Sequence, residues 1–371
     1  MTTSDGVPEM VDWNLAVATA TRLVGSGPNV SEPEAHGAVA DLRRFSAEAE
    51  GHVREFTGLD GSSASAPVVI VDRPGWAKAN ADSMRTIIAP LEQKLSRRRG
   101  SGLLDSVGPK VTALEAGALL AFLAGKVLGQ FDPFWADADA DADGHGAAAG
   151  RLLLVAPNVV HVERELDVVP RDFRLWVCLH EETHRVQFTA VPWLRDHLRG
   201  EIESFVEATE IDPGVLLGRA RELIRTLVDN ARSRGEGPSL LDLVQTPGQK
   251  AVVERVTAVM SLLEGHADVV MDGVGPDVVG TVETIRRRFQ KRRSGTSGLD
   301  RTLRRLLGLD AKMRQYRDGA AFVNGVVERV GMTGFNRVWE SPSTLPSQAE
   351  IGDPAAWVRR VHAGAPELTA D

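Results

Sequence analysis

The sequence is poor in cysteine: Cys178 is the only one in 371 residues. A disulfide framework and a cysteine-rich zinc module are therefore excluded. Long hydrophobic runs are also missing. The most apolar stretch, residues 116–125, lies between Glu115 and Lys126 and is about half of the roughly 20 residues that span a membrane. The first residues, Met1 to Gly6, carry neither a basic nor an apolar leader region, so no signal peptide is expected. Positive charge is in deficit, with a net charge of -8, which argues against a dedicated nucleic-acid binder. What is present is globular: 43% hydrophobic and 25% charged residues. These features predict a soluble, cytoplasmic protein with no membrane association. The length fits one large domain or two ordinary ones.

Helical signals dominate. Asp12 caps a helix carrying Trp13, Ala16, Ala20 and Leu23 at helical spacing, and Ser31 with Glu34 forms a capping box for a second. Further helices are expected over 76–95 and, rich in glycine and apolar residues, over 111–129. Residues 136–150 are a run of Ala, Asp and Gly. Asp139, Asp141, Asp143 and Gly144 match the start of a calcium-binding loop, but Ala147 and Gly150 stand where later ligands are needed. The run reads as a solvated acidic linker. It divides the chain into a helical lobe, 1–135, and a catalytic lobe, 151–371. Residues 152–155 suit a strand. Pro170 with Asp172 starts a helix reaching about Val191, Pro213 opens another, and Thr246-Pro247 with Gln249 starts a long one ending near Gly273. The fold class expected is mainly α with a small β component.

The chemistry is carried by His180-Glu181-Glu182-Thr183-His184. Two histidines four apart lie about 40° apart round a helix and about 6 Å along it, so both imidazoles reach one metal ion. Glu181 beside them is the general base for a water activated by Zn2+. A third ligand is required. Gln187 and Ala190 occupy the places where a Gly and a further His would extend the motif, so that extension fails. Glu264 with Asp268, one turn apart on the long later helix, supplies the alternative: Glu264 on the metal, Asp268 accepting the second ring N–H of His180 or His184. His266 competes for the third place, but lies about 200° round the helix from Glu264. The apolar pattern of that helix does not choose cleanly between the two faces. Two imidazoles and one carboxylate leave a coordination position open, as in catalytic zinc sites.

The runs Trp176-Val-Cys-Leu-His-Glu-Glu-Thr-His-Arg-Val-Gln-Phe188, Val191-Pro-Trp-Leu194 and Glu264-Gly-His-Ala-Asp-Val-Val-Met-Asp272 resemble the actinobacterial zincin-like metallopeptidases of type 2. These are also described as hydrolases associated with biosynthesis of a deazaflavin coenzyme. The resemblance extends to Val71–Trp76, Leu128–Pro133, Leu154–Asn158, Gln315–Gly319 and Gly334–Pro342, and so covers nearly the whole chain. It implies a zincin-like fold with a gluzincin-type site, a zinc-dependent hydrolase, and a peptide or amide substrate. A non-catalytic scaffold serving a partner in coenzyme biosynthesis is the other reading.

Supporting residues are less specific. Tyr316, the only tyrosine, is a candidate for stabilising an oxyanion. Gln187 lies on the ligand face, where it lines the cleft, bonds a ligand carboxylate or simply packs. Cys178 points away from the metal-facing side and reads as core, while Trp176 and Phe188 read as core or cleft wall. Residues 285–317 hold twelve Lys or Arg against Asp300 and Asp310. With few aromatics interleaved, they read as helix faces bridged to acidic neighbours, and nucleic acid is not an expected partner. Oligomeric state is not legible.

Overall fold

A computed structural model of the chain describes residues 10–60, 66–96, 108–136, 149–208, 246–294 and 309–363. Several helices begin where their capping residues dictate. Helix α1 (Trp13–Leu23) follows Asp12, whose side chain accepts from the Leu15 N–H. Helix α2 (Glu32–Thr57) follows Ser31, which accepts from the Glu34 N–H. Strand β1 (Val68–Val71) leads into α3 (Arg73–Ser96), then α4 (Gly108–Ala124). Strands β2 (Gly129–Ala136) and β3 (Ala149–Val155) precede α5 (Ala156–Glu165), α6 (Pro170–Ala190) and α7 (Pro192–Glu207). Helix α8 (Pro247–Val278) opens with a complete capping box between Thr246 and Gln249. Helices α9 (Val282–Ser294) and α10 (Leu309–Phe335) follow, and short helices complete the described chain. The fold is mainly α with one small sheet, as expected. No helix among the described residues is long and apolar enough to cross a membrane.

The sheet has the order β1-β3-β2, with β1 parallel and β2 antiparallel to β3. Leu152, Leu153, Leu154 and Val155 are all buried, because helices cover both faces of the central strand. β1 precedes residues 136–150 and β3 ends them, so the sheet crosses the expected linker. The core crosses it too: Leu42, Phe45 and Val53 of α2 join Phe173 and Leu175 of α6 and Leu262 and Val270 of α8. Residues 137–148, with the calcium-loop-like aspartates, and the helix expected from Pro213 lie outside the described residues.

Two expected helix ends are corrected. The helix expected over 111–129 stops at Ala124, and Gly129 begins β2; Leu114 and Leu119 on it are exposed. Helix α8 does not stop near Gly273 but runs to Val278. Gly273 is a seat rather than a terminator: a Cβ there would lie 2.0 Å from the ring of Phe56. Helix α8 also crosses α10 very closely. A Cβ on Gly265 would lie 2.1 Å from the Gly319 carbonyl carbon, and one on Gly319 would lie 2.0 Å from the Ser261 oxygen. Only two glycines allow this approach, and it sets the rotation of the turn that carries Glu264.

Candidate metal centre

Helix α6 packs between α2 and α8, with β2 along it. Nearly all its residues are buried; His180 and His184 are among the few partly open ones, and they face a cavity of about 1280 Å³. Glu264 on α8 points into the same space. His180 Nε2 and His184 Nε2 are 3.3 Å apart, and Glu264 Oε2 is 3.5 Å from the first and 3.7 Å from the second. These three side chains form the metal-competent cluster found among the described residues. The geometry fits zinc. Bonds of about 2.0–2.2 Å to N and O in a tetrahedron imply ligand–ligand separations of roughly 3.4 Å, close to all three edges here.

The electrostatics agree. Burial alone would lower the pKa of His184, but Glu264, with help from Glu181 and Gln187, raises it to about 9. The cluster thus holds positive charge strongly, and a divalent cation meets the same demand as that proton. Glu181, 7% exposed, sits beside the cluster. Burial raises its carboxyl pKa to about 8, with Glu264 and Glu182 adding to the rise and His184 opposing it. β2 reaches this carboxylate through Gly129, where a Cβ would lie 2.6 Å from Glu181 Cδ. Gly129 thus serves close backbone approach from a strand to a catalytic candidate.

The other sequence candidates separate clearly. His266 is fully buried away from the cavity, against Phe335 and Trp339, and burial drives its pKa down to about 3. Asp268 lines the cavity, but the second nitrogen of His184 is taken by Gln187: Oε1 lies 3.0 Å from Nδ1. That corrects the role expected of Asp268 at His184, because Gln187 is one turn away on the same helix and reaches first. His180 Nδ1 lies 3.2 Å from Met271 Sδ, a weak acceptor that sequence reasoning did not single out. Tyr316 lies on α10, and its side chain is outside the described residues. Cys178 is fully buried, with burial raising its thiol pKa.

Part of the cavity wall is aromatic. Phe131 stacks on Phe188 at 5.2 Å, and Trp176 meets Phe289 edge-on at 5.2 Å, so Trp176 and Phe188 are cleft wall as expected. The described part of the basic segment is bridged to acidic neighbours: Arg286 to Asp272, Arg288 to Asp167 and Arg292 to Glu165.

No curated protein matches the sequence significantly. The crystal structure of "a putative hydrolase with a novel fold" from Chloroflexus aurantiacus is similar, with a TM-score of 0.67 and 29% identity over 95% of this chain and 99% of that one. A family model described as zincin-like metallopeptidase matches residues 11–358. Because that match spans nearly the whole chain, including the α6 motif and α8, the chain belongs to the zincin-like metallopeptidase family.

Proposed function

We propose that this protein is a zinc-dependent hydrolase of amide bonds in peptides, with His180, His184 and Glu264 as metal ligands and Glu181 as general base. The observation that carries the reading is the near-equal spacing of three ligand atoms beside a buried carboxylate. When bound, zinc lowers the pKa of a coordinated water and polarises a carbonyl oxygen. The chain's own residues do the rest. Glu181 accepts a proton at its carboxylate and delivers it to the leaving amine. Gly129 presses β2 against it and keeps it aimed at the cluster. β2 is a terminal strand of the sheet, and residues 129–131, 133 and 134 line the cavity. A strand edge pairs with an extended chain through main-chain hydrogen bonds, which supports a peptide substrate. Pro133 is tolerated there because an edge strand can spare a donor.

The test combines metal analysis with a peptide-library digest. Purified protein should carry about one zinc per chain, and His180→Ala should lose it. Glu181→Gln should keep the metal and lose about 10²–10⁴-fold in cleavage rate. Undiminished cleavage by Glu181→Gln would remove the mechanism. Bound zinc with no cleavage of any peptide would favour the scaffold reading.

A further inference from the structure

We propose that Gln187 is the positioning residue of this metal centre: its amide, held by the Leu263 carbonyl and His266, decides which ring nitrogen His184 presents to a cation. The proposal rests on the metallohydrolase reading for its consequence, but its geometry stands in the metal-free chain.

Gln187 is fully buried. Its Oε1 is 3.0 Å from His184 Nδ1. Its Nε2 is 3.0 Å from the Leu263 carbonyl oxygen and 3.0 Å from His266 Nδ1. An amide has a donor end and an acceptor end. Reversed, it would set two oxygens against each other at Leu263, and a carbonyl has no proton to give. The backbone of α8 therefore dictates the orientation. Oε1 must accept, so His184 Nδ1 carries a proton. The nitrogen left for a metal is Nε2, the atom facing His180 and Glu264.

His266 completes the fork. It accepts the second amide proton at Nδ1, so its own proton sits on Nε2. That Nε2 is buried without a hydrogen-bond partner, the ring lying against Phe335 at 5.2 Å and Trp339 at 5.5 Å. A buried donor without a partner is destabilising. The fold tolerates that cost while Nδ1 stays on Gln187. The arrangement also links two ligands: Leu263 directly precedes Glu264, so the turn of α8 that supplies the third ligand also sets the tautomer of the second. Histidine ligands commonly donate their other N–H to a carboxylate, carbonyl or water. Here the acceptor is a neutral amide that carries its own anchor.

The test reads ring protons directly. Two-bond 1H–15N correlation spectra of the full chain, labelled at histidine nitrogen, are recorded with zinc and without it. A proton on Nδ1 of His184 and on Nε2 of His266 in both states is expected. Zinc on Nδ1 of His184, or a proton on Nδ1 of His266, overturns the proposal. In chelator competition Gln187→Leu should bind zinc about 10–100-fold more weakly, and His266→Phe, which keeps the aromatic stack, should lose affinity in the same direction to a smaller extent. Unchanged zinc affinity in folded Gln187→Leu also overturns it. Should that variant fail to fold, the spectra of the native chain still decide. Absence of zinc binding by the native chain would sink the hydrolase reading alone, and the proton position on the neutral His266 ring in the metal-free spectra would still judge this one.

Discussion

Glu181 and Glu182 are neighbours on α6, both buried, at 7% and 0% exposure, and they face opposite surroundings. Glu182 points toward α2. It accepts from the Ser46 hydroxyl and from Arg185 Nε, while Arg185 also binds Glu50 and the Ala66 carbonyl. Burial raises its pKa, and Arg185 and Ser46 pull it back. Glu181 points toward the cavity. Among the described residues nothing donates a hydrogen bond to it, and its pKa rises to about 8. A buried charge given partners holds the fold together, whereas a buried carboxylate left without them is poised to take a proton. The contrast separates the cavity-facing side of α6 from the side packed on α2.

The largest test of this contrast removes a partner on the structural side. Arg185→Met would leave the buried Glu182 carboxylate with the Ser46 hydroxyl alone, while Glu50 keeps Arg54, and should cost about 3–5 kcal/mol in urea unfolding. A loss below about 1 kcal/mol would mean that the α2 side does not depend on the pair. On the functional side, Gly129→Ala adds a methyl where Glu181 lies. The side chain can swing aside, so folding stability should change little. Cleavage, measured on the best peptide from the library, should fall about 10²-fold, the effect of roughly 1 Å of misplacement. Wild-type rates in that variant would show that the approach of β2 is unrelated to catalysis.

The smallest effect belongs to an open ion pair, Arg360 with Glu350 near the C-terminal end. Burial alone would raise the Glu350 pKa, but Arg360 and Ser347 hold it below its ordinary value of 4.5. A lowered carboxyl pKa contributes stability in full above the unfolded value and loses it as pH falls through the folded one. Arg360→Met should therefore cost about 1 kcal/mol near neutral pH, and the difference from wild type should shrink in acid to what the bonds from Arg360 to the Ser343 and Leu345 carbonyls contribute. A difference that grows on acidification would contradict the sign.

Much of the site was legible locally. His180 and His184 are read on one helical face because four residues make slightly more than a turn, and Pro170 and Thr246 mark the starts of the two helices that meet there. Glu264 was less legible, since the apolar residues of α8 cover more than one face. Met271 was not legible, since it meets the His180 ring from 91 residues away; Gln187, three residues from His184, was legible on the ligand face, but the imidazole as its partner was not.

Short-range rules therefore determined the α-rich class, the capped helix starts, the buried strand at 152–155 and the pairing of two imidazoles. Only tertiary structure decided which side of α8 meets α6. That choice depends on Gly265 and Gly319 letting two helices touch backbone to backbone, which turns Glu264 inward to the histidines and sends His266 into the aromatic core. The physical reason is range: periodicity and capping act within a turn or two of chain, whereas the rotation of a helix is set by what it can approach across the fold.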